Sequence, residues 1–237
     1  MEKRKTALLF DLDGTLLPMD NDEFTGVYFH YLAEKMAAYG YEKDKLIDGV
    51  WAGTAAMVKN DGSKTNEKVF WERFSQIFGE KALEDYEIFE AFYKEEFQNA
   101  KSACGYDERA AKAIRLAKEK GLRLILATNP IFPAVATYSR IKWAGLAAED
   151  FELITTYENI GFCKPNPEYY KEIMDRQGLT PGECVMIGND VGEDMIAKKL
   201  GMDVFLLTDH MINRKNEDIS EYPQGGFDEL IRMIVNL

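Results

Sequence analysis

Cysteine is sparse in this sequence, a basic surplus is missing, and no apolar run is long. Cys104, Cys163 and Cys184 are the three cysteines among 237 residues, an odd number with no CxxC pair. They give no basis for a disulfide framework or a structural zinc site. Lysine and arginine total 29 against 41 aspartates and glutamates, a formal charge of −12. Affinity for nucleic acid rests on neutralising phosphates with cations, and no local run of Lys or Arg offsets the acidic balance, so a nucleic-acid polymer is not an expected partner. The opening MEKRK has the charge of a signal peptide, but the apolar run Ala7 to Phe10 ends at Asp11 after four residues. That is too short for a signal core or a membrane span. The expectation is a reducing, cytoplasmic setting and small soluble ligands; nothing in the periodicity indicates an oligomeric state.

What is present is core-forming material, 46% hydrophobic and 12% aromatic, sufficient for one large domain or two moderate ones. Thr6 to Phe10 reads as a short buried strand, without alternation and ended by a polar loop. From Asn21 to about Ala100 apolar residues recur three or four apart: Phe24, Tyr28, Tyr31 and Leu32, then Leu46, Ile47, Val50 and Trp51, then the stretches Val69–Phe78 and Leu83–Phe97. Four amphipathic helices in a row predict a small bundle, with the aromatic stripes as its core rather than a ligand site.

After Asp107 helices and strands alternate. Helices are expected at Asp107–Lys120, Pro133–Trp143, Pro167–Gln177 and Glu193–Leu200, and strands at Leu122–Ala127, Leu153–Thr155, Cys184–Ile187 and Val204–Leu207. The polar stretch Asp209–Gly226 reads as loop. Such alternation implies a parallel sheet with helices on both faces. The expected fold class is α/β, a doubly wound, Rossmann-like core of residues 1–17 and 101–237 with an inserted all-helical cap domain, residues 18–100.

Ligands of open α/β sheets bind outside the carboxyl ends of the strands. Asp11 and Asp13 follow the first strand, Thr128 and Asn129 the second, Lys164 lies after the third, and Asn189, Asp190 and Asp194 follow the fourth. Two carboxylates at i and i+2 before Gly14 repel unless a cation joins them, and a hard ion such as Mg²⁺ takes such oxygens and can bridge a phosphate. Turn capping by Asp11 and Asp13 explains a bare DxD equally well. The pentad Asp11-Leu12-Asp13-Gly14-Thr15 directly after a strand is far more specific.

The chain resembles the haloacid dehalogenase superfamily, mostly Mg²⁺-dependent phosphatases. LLFDLDGTLL corresponds to the first family motif, ILATN to the second, CKPNPEYY to the third and MIGNDVGEDMIAKKLGM to the fourth, in the family's order. The resemblance implies Asp11 as nucleophile forming an aspartyl-phosphate and Asp13 as acid and base, with the Asp13 main-chain carbonyl as a further metal ligand. Thr128 and Asn129 suit phosphoryl oxygens, although Thr128 would equally cap the turn before Pro130. Lys164 suits neutralisation of Asp11 and the phosphoryl group.

The fourth motif departs from the common pattern, since Gly188 is followed by Asn189. Asp190 is preferred as metal ligand over Asn189 because a cation gains more from an anionic oxygen. Asp194 is read as orienting Lys164 or a metal-bound water, or as simply stabilising a first helical turn. The expected activity is hydrolysis of a small phosphate ester. A phosphomutase retains all four motifs, and a non-catalytic binding protein on the same fold is the alternative of another class. Dehalogenation does not need Asp13. Phosphonate hydrolysis would need a cap lysine, and no motif singles out Lys35, Lys43 or Lys45.

Overall fold

The computed structural model describes residues 4–237; residues 1–3, part of the basic opening and of the first core segment expected from sequence, lie outside the described residues. Six parallel strands, β1 (Ala7–Phe10), β2 (Arg123–Leu126), β3 (Leu153–Ile154), β4 (Cys184–Gly188), β5 (Asp203–Leu207) and β6 (Gln224–Gly225), form one sheet in the order β3-β2-β1-β4-β5-β6. The chain runs outward from β1 to β3 on one side and from β4 to β6 on the other. The β1/β4 junction is therefore the topological switch point, where such sheets leave a crevice at the strands' carboxyl ends.

Side chains alternate across a strand, and the two faces separate accordingly. Leu8, Phe10, Leu126 and Ile187 pack against α6 (Glu108–Glu119), α7 (Ala134–Trp143) and α9 (Phe227–Asn236), whereas Ala7, Leu9, Ile125 and Met186 pack against α8 (Pro167–Gln177) and a 3-10 turn at Met195–Leu200. Local chemistry sets the helix ends. Asp107 caps α6 by accepting from Arg109 N, and Asn166 caps α8 ahead of Pro167 in the first turn, while Gly178 closes α8 in the left-handed region.

Residues 21–103 between β1 and α6 are almost wholly helical: α1 (Asn21–Ala37), α2 (Lys43–Val58), α3 (Asn66–Phe78), α4 (Lys81–Glu84), α5 (Tyr86–Lys94) and a 3-10 segment Glu96–Ala103. Phe74 sits at the centre, its ring 4.6 Å from Phe78 and 5.4 Å from Phe89. The same apolar cluster continues into the α/β part, where Phe97 stacks on Trp143 at 5.3 Å and Tyr28 meets Phe132 edge-on at 5.5 Å. A second tie joins the α2–α3 connection to the loop ahead of Lys164. Asn66, fully buried, donates from Nδ2 towards the carbonyls of Pro130 and Phe162, and its N–H bonds Ile160 O at 2.9 Å.

The structure corrects the sequence reading in four places. The single helix expected over Leu83–Phe97 is three pieces, because Asp85 ends α4 and Glu95, at φ −110° and ψ −84°, leaves helical geometry before the 3-10 segment. The helix expected at Glu193–Leu200 is the 3-10 turn, preceded by a tight turn at Asp190. Within the expected loop Asp209–Gly226, Gln224 and Gly225 pair with β5 as β6. Finally, α9 follows, unread from sequence although Phe227, Leu230 and Ile234 are spaced as one buried helix face. Among the described residues no helix is long and apolar enough to cross a membrane.

Candidate active site

β1 ends at Phe10 and delivers Asp11 to the switch point, where Asp11 N bonds Ile187 O of β4 at 2.9 Å. The chain then turns on itself, with Leu17 N and Thr15 N both bonding Leu12 O. Gly14 adopts φ +78°, and a Cβ there would collide with Asn189 Nδ2. Glycine thus lets the first and fourth motifs touch. The turn returns the Thr15 hydroxyl to 3.0 Å from Asp11 Oδ2 and 3.1 Å from Asn189 Oδ1. Asn189 Nδ2 donates to His210 O at 2.6 Å, so the loop after β5 fixes that amide.

Lys164 is buried with its ammonium 2.8 Å from Asp11 Oδ1 and 2.6 Å from Asp194 Oδ1. Burial opposes its charge, but the two carboxylates outweigh burial and hold the ammonium protonated. Burial likewise pushes the Asp194 carboxyl up, opposed by Lys164. Asp194 Oδ2 accepts from Asp190 N at 3.0 Å, which ties the fourth-motif turn to the ion pair. Gly188 makes the approach possible, since a Cβ there would collide with the Asp194 carboxylate. Gly188→Ala is therefore expected to displace Asp194 from Lys164, lowering kcat on the order of 10²-fold, as a shift near 1 Å at a reacting centre does. Steady-state kinetics with a melting curve on the same sample checks this.

The remaining expected residues take these positions. Asp190 spends Oδ1 on the N–H groups of Gly192 and Glu193, at 2.8 and 2.9 Å. Asn129 accepts from Lys164 N at 3.3 Å and donates to Glu193 Oε2 at 3.1 Å. Burial pushes the Glu193 carboxyl up to about 7. The buried Thr128 has its carbonyl held by Tyr169 Oη and Thr155 Oγ1, at 2.8 and 2.7 Å. Asp11, Asp13, Thr128, Asn129, Asn189, Asp190 and Asp194 all line one cleft of about 550 Å³. Lys35, Lys43 and Lys45 do not line it, and Lys35 is instead paired with Glu96 at 2.6 Å.

Asp13 has a partner that sequence reasoning missed. Arg140 of α7, 1% exposed, makes an ion pair with Asp13 Oδ2. The guanidinium is itself held 4.5 Å above the Phe132 ring and 3.3 Å from Thr137 Oγ1. Asp13 Oδ1 is buried without a hydrogen-bond partner. Burial raises the Asp13 pKa, Arg140 opposes that, and the neighbouring Asp11 charge adds to it. The signal for Arg140 was a cation on the apolar face of a helix, between Ala136 and Ile141.

The donor set suits a hard cation. Residues bearing carboxylates and amides line the cleft, and no group of three or more His, Cys, Asp or Glu able to hold a metal occurs among the described residues. Mg²⁺ is commonly held by one or two carboxylates while keeping several waters, which these residues can provide.

Residues 5–201 match the haloacid dehalogenase-like hydrolase family. Phosphoglycolate phosphatase of Colwellia psychrerythraea is 27% identical over 237 residues, covering 99% of this chain and 98% of its own. Pyrophosphatase PpaX of Bacillus velezensis is 26% identical, covering 84% and 82%. Among solved structures, YfnB of Bacillus subtilis, crystallised bound to magnesium, superposes with a TM-score of 0.59 at 20% identity, covering 99% of this chain and 100% of its own.

Proposed function

The chain belongs to the haloacid dehalogenase-like hydrolase family, and on that premise we propose that it is a Mg²⁺-dependent phosphatase of small phosphomonoesters working through an aspartyl-phosphate on Asp11. The observation that carries this reading is the pair of carboxylates at the end of β1 in two different settings. Asp11 lies beside the Lys164 ammonium and the Thr15 hydroxyl, while Asp13, two residues on, keeps one oxygen buried and unpartnered. One carboxylate sits against an ammonium and a hydroxyl at the mouth of the sheet, placed for attack, and the other is set to carry a proton.

Asp11 attacks phosphorus in line with the ester oxygen. As the P–O ester bond breaks, Asp13 gives its proton to the departing alkoxide, so the alcohol leaves neutral and Asp11 carries the phosphoryl group. Asp13, now a carboxylate, takes a proton from the water that attacks the aspartyl-phosphate. The Asp11–phosphorus bond then breaks, freeing phosphate and restoring both carboxyls. Lys164, Thr128 and Asn129 surround the place where phosphoryl charge shifts during both displacements. Residues 18–100 serve as the cap whose closure excludes water.

The residues that would hold Mg²⁺ are Asp11 through its carboxylate, Asp13 through its main-chain carbonyl, and Asn189 or Asp190. Asn189 Oδ1 shares the Thr15 hydroxyl with Asp11, and Asp190 Oδ1 is committed to its own turn. When bound, Mg²⁺ supplies positive charge that lets two anions, carboxylate and phosphoryl group, come together.

Release of inorganic phosphate from a panel of phosphomonoesters that includes 4-nitrophenyl phosphate tests the proposal. Turnover is expected with Mg²⁺, disappears in EDTA and returns when Mg²⁺ is added in excess. Silence towards every ester with Mg²⁺ present would contradict it.

A further inference from the structure

The catalytic cleft does not end at the phosphoryl site. Thr25, Trp51, Thr54, Ile131 and Phe132 line both the cleft and a second cavity of about 80 Å³ reaching into the helical insert. Resting on the phosphatase reading above, we propose that the preferred substrate is the phosphomonoester of an aromatic alcohol, its ring seated in the passage between Trp51 and Phe132.

The walls decide the chemistry. Beyond the passage lie Phe29, Leu32, Val50, Phe70 and Phe89, and no charged side chain lines this cavity. Most of its polar groups already have partners: the hydroxyls of Tyr28 and Tyr93 are 3.0 Å apart, Trp71 Nε1 donates to Tyr157 Oη at 3.4 Å, and Thr54 Oγ1 donates to Val50 O at 2.9 Å, while Thr25 stands at the passage where cavity and cleft meet. A sugar or polyol entering here would give up hydrogen bonds to water and regain few. An aromatic ring gives up little and gains stacked and edge-on contacts.

The passage also carries apolar surface that the fold leaves uncovered. Trp51 is 51% exposed and Val58, two turns along α2, is 43% exposed, and both line the cleft. Large apolar side chains left open beside a reactive site mark a place where a ligand finishes the packing. Cations are elsewhere, since Arg214 and Lys215 line the outer cleft and not the inner cavity. A second anionic group, as on phosphoglycolate or a sugar bisphosphate, thus finds no partner at the inner end. Size limits the ring. A dry cavity of about 150 Å³ holds one benzene, so the smaller cavity here takes the edge of a single ring rather than a fused system.

The test compares esters whose leaving alcohols are all primary: benzyl, ethyl and glycerol 3-phosphates, with phosphoglycolate, and 4-nitrophenyl phosphate as a general substrate. Benzyl phosphate is expected to exceed ethyl and glycerol phosphates in kcat/KM by about tenfold or more, the discrimination an apolar pocket gives. Trp51→Ala, with folding checked by a melting curve, should raise KM severalfold more for benzyl phosphate than for ethyl phosphate, so that the benzyl-to-ethyl ratio of kcat/KM falls. Thr54→Leu, which fills the passage, should do the same. Equal kcat/KM for benzyl and ethyl phosphates in an active enzyme, or a preference for glycerol phosphate or phosphoglycolate, overturns the aromatic assignment while the phosphatase reading stands. No turnover of any ester, 4-nitrophenyl phosphate included, overturns the phosphatase reading and this assignment with it.

Discussion

Asp11→Asn is expected to fold with nearly the wild-type melting temperature and to lose activity on every phosphomonoester by on the order of 10⁴-fold or more, the loss that follows removal of a nucleophile. An amide has the shape of the carboxylate but cannot form the acyl-phosphate. The stability expectation follows from the partners of Lys164. Removing one member of a buried ion pair commonly costs about 3–5 kcal/mol because a charge is left uncompensated, but here Asp194 remains 2.6 Å from the ammonium. The variant should therefore separate chemistry from folding, and a melting curve beside the rate measurement shows whether it does.

Arg140→Met is expected to produce a loss that depends on the leaving group. If the guanidinium fixes Asp13 through Oδ2, the unpartnered Oδ1 is the oxygen left to deliver the proton. A primary alkoxide needs that proton and nitrophenolate hardly does. With general acid catalysis worth about 10²–10⁴-fold, kcat/KM should fall about 10²-fold or more for benzyl phosphate and only a few-fold for 4-nitrophenyl phosphate. The readout is the ratio of two substrates on one sample, so it is unaffected by the fraction of variant that folds. Arg140→Lys, which keeps a cation near Asp13, should recover part of the alkyl-ester rate. An equal loss on both substrates would assign Arg140 a packing role under Phe132 and nothing more.

Much of this arrangement was legible because it is local in sequence. A buried strand followed at once by Asp11, Asp13 and Gly14 states both the carboxylate pair and the turn that presents it. The alternation after Asp107 predicts the parallel sheet. Where reading failed, the deciding interaction is long-range or the signal is too short. Arg140 meets an aspartate 127 residues away, and no periodicity in α7 indicates that encounter. The two-residue β6 has no room for a pattern. Asp190 and Asn189 both line the cleft as alternatives for a cation: charge favours Asp190, while its Oδ1 accepts from the N–H groups of Gly192 and Glu193. Asn189 shares the Thr15 hydroxyl with Asp11, and a side chain on Gly14 would collide with its amide. For α9 the apolar spacing of Phe227, Leu230 and Ile234 was there to be read behind a long polar stretch.

Covalent chemistry at Asp11 leaves an intermediate that can be caught. The enzyme would be mixed with Mg²⁺ and 4-nitrophenyl phosphate, quenched in acid within the first turnovers, reduced with borohydride, and digested for mass spectrometry. Borohydride converts an acyl-phosphate to the alcohol, so homoserine is expected at Asp11 in the wild-type peptide and is absent from Asp11→Asn. Homoserine at a different aspartate, or rapid phosphate release with Asp11 unmodified at every quench time, would contradict the account.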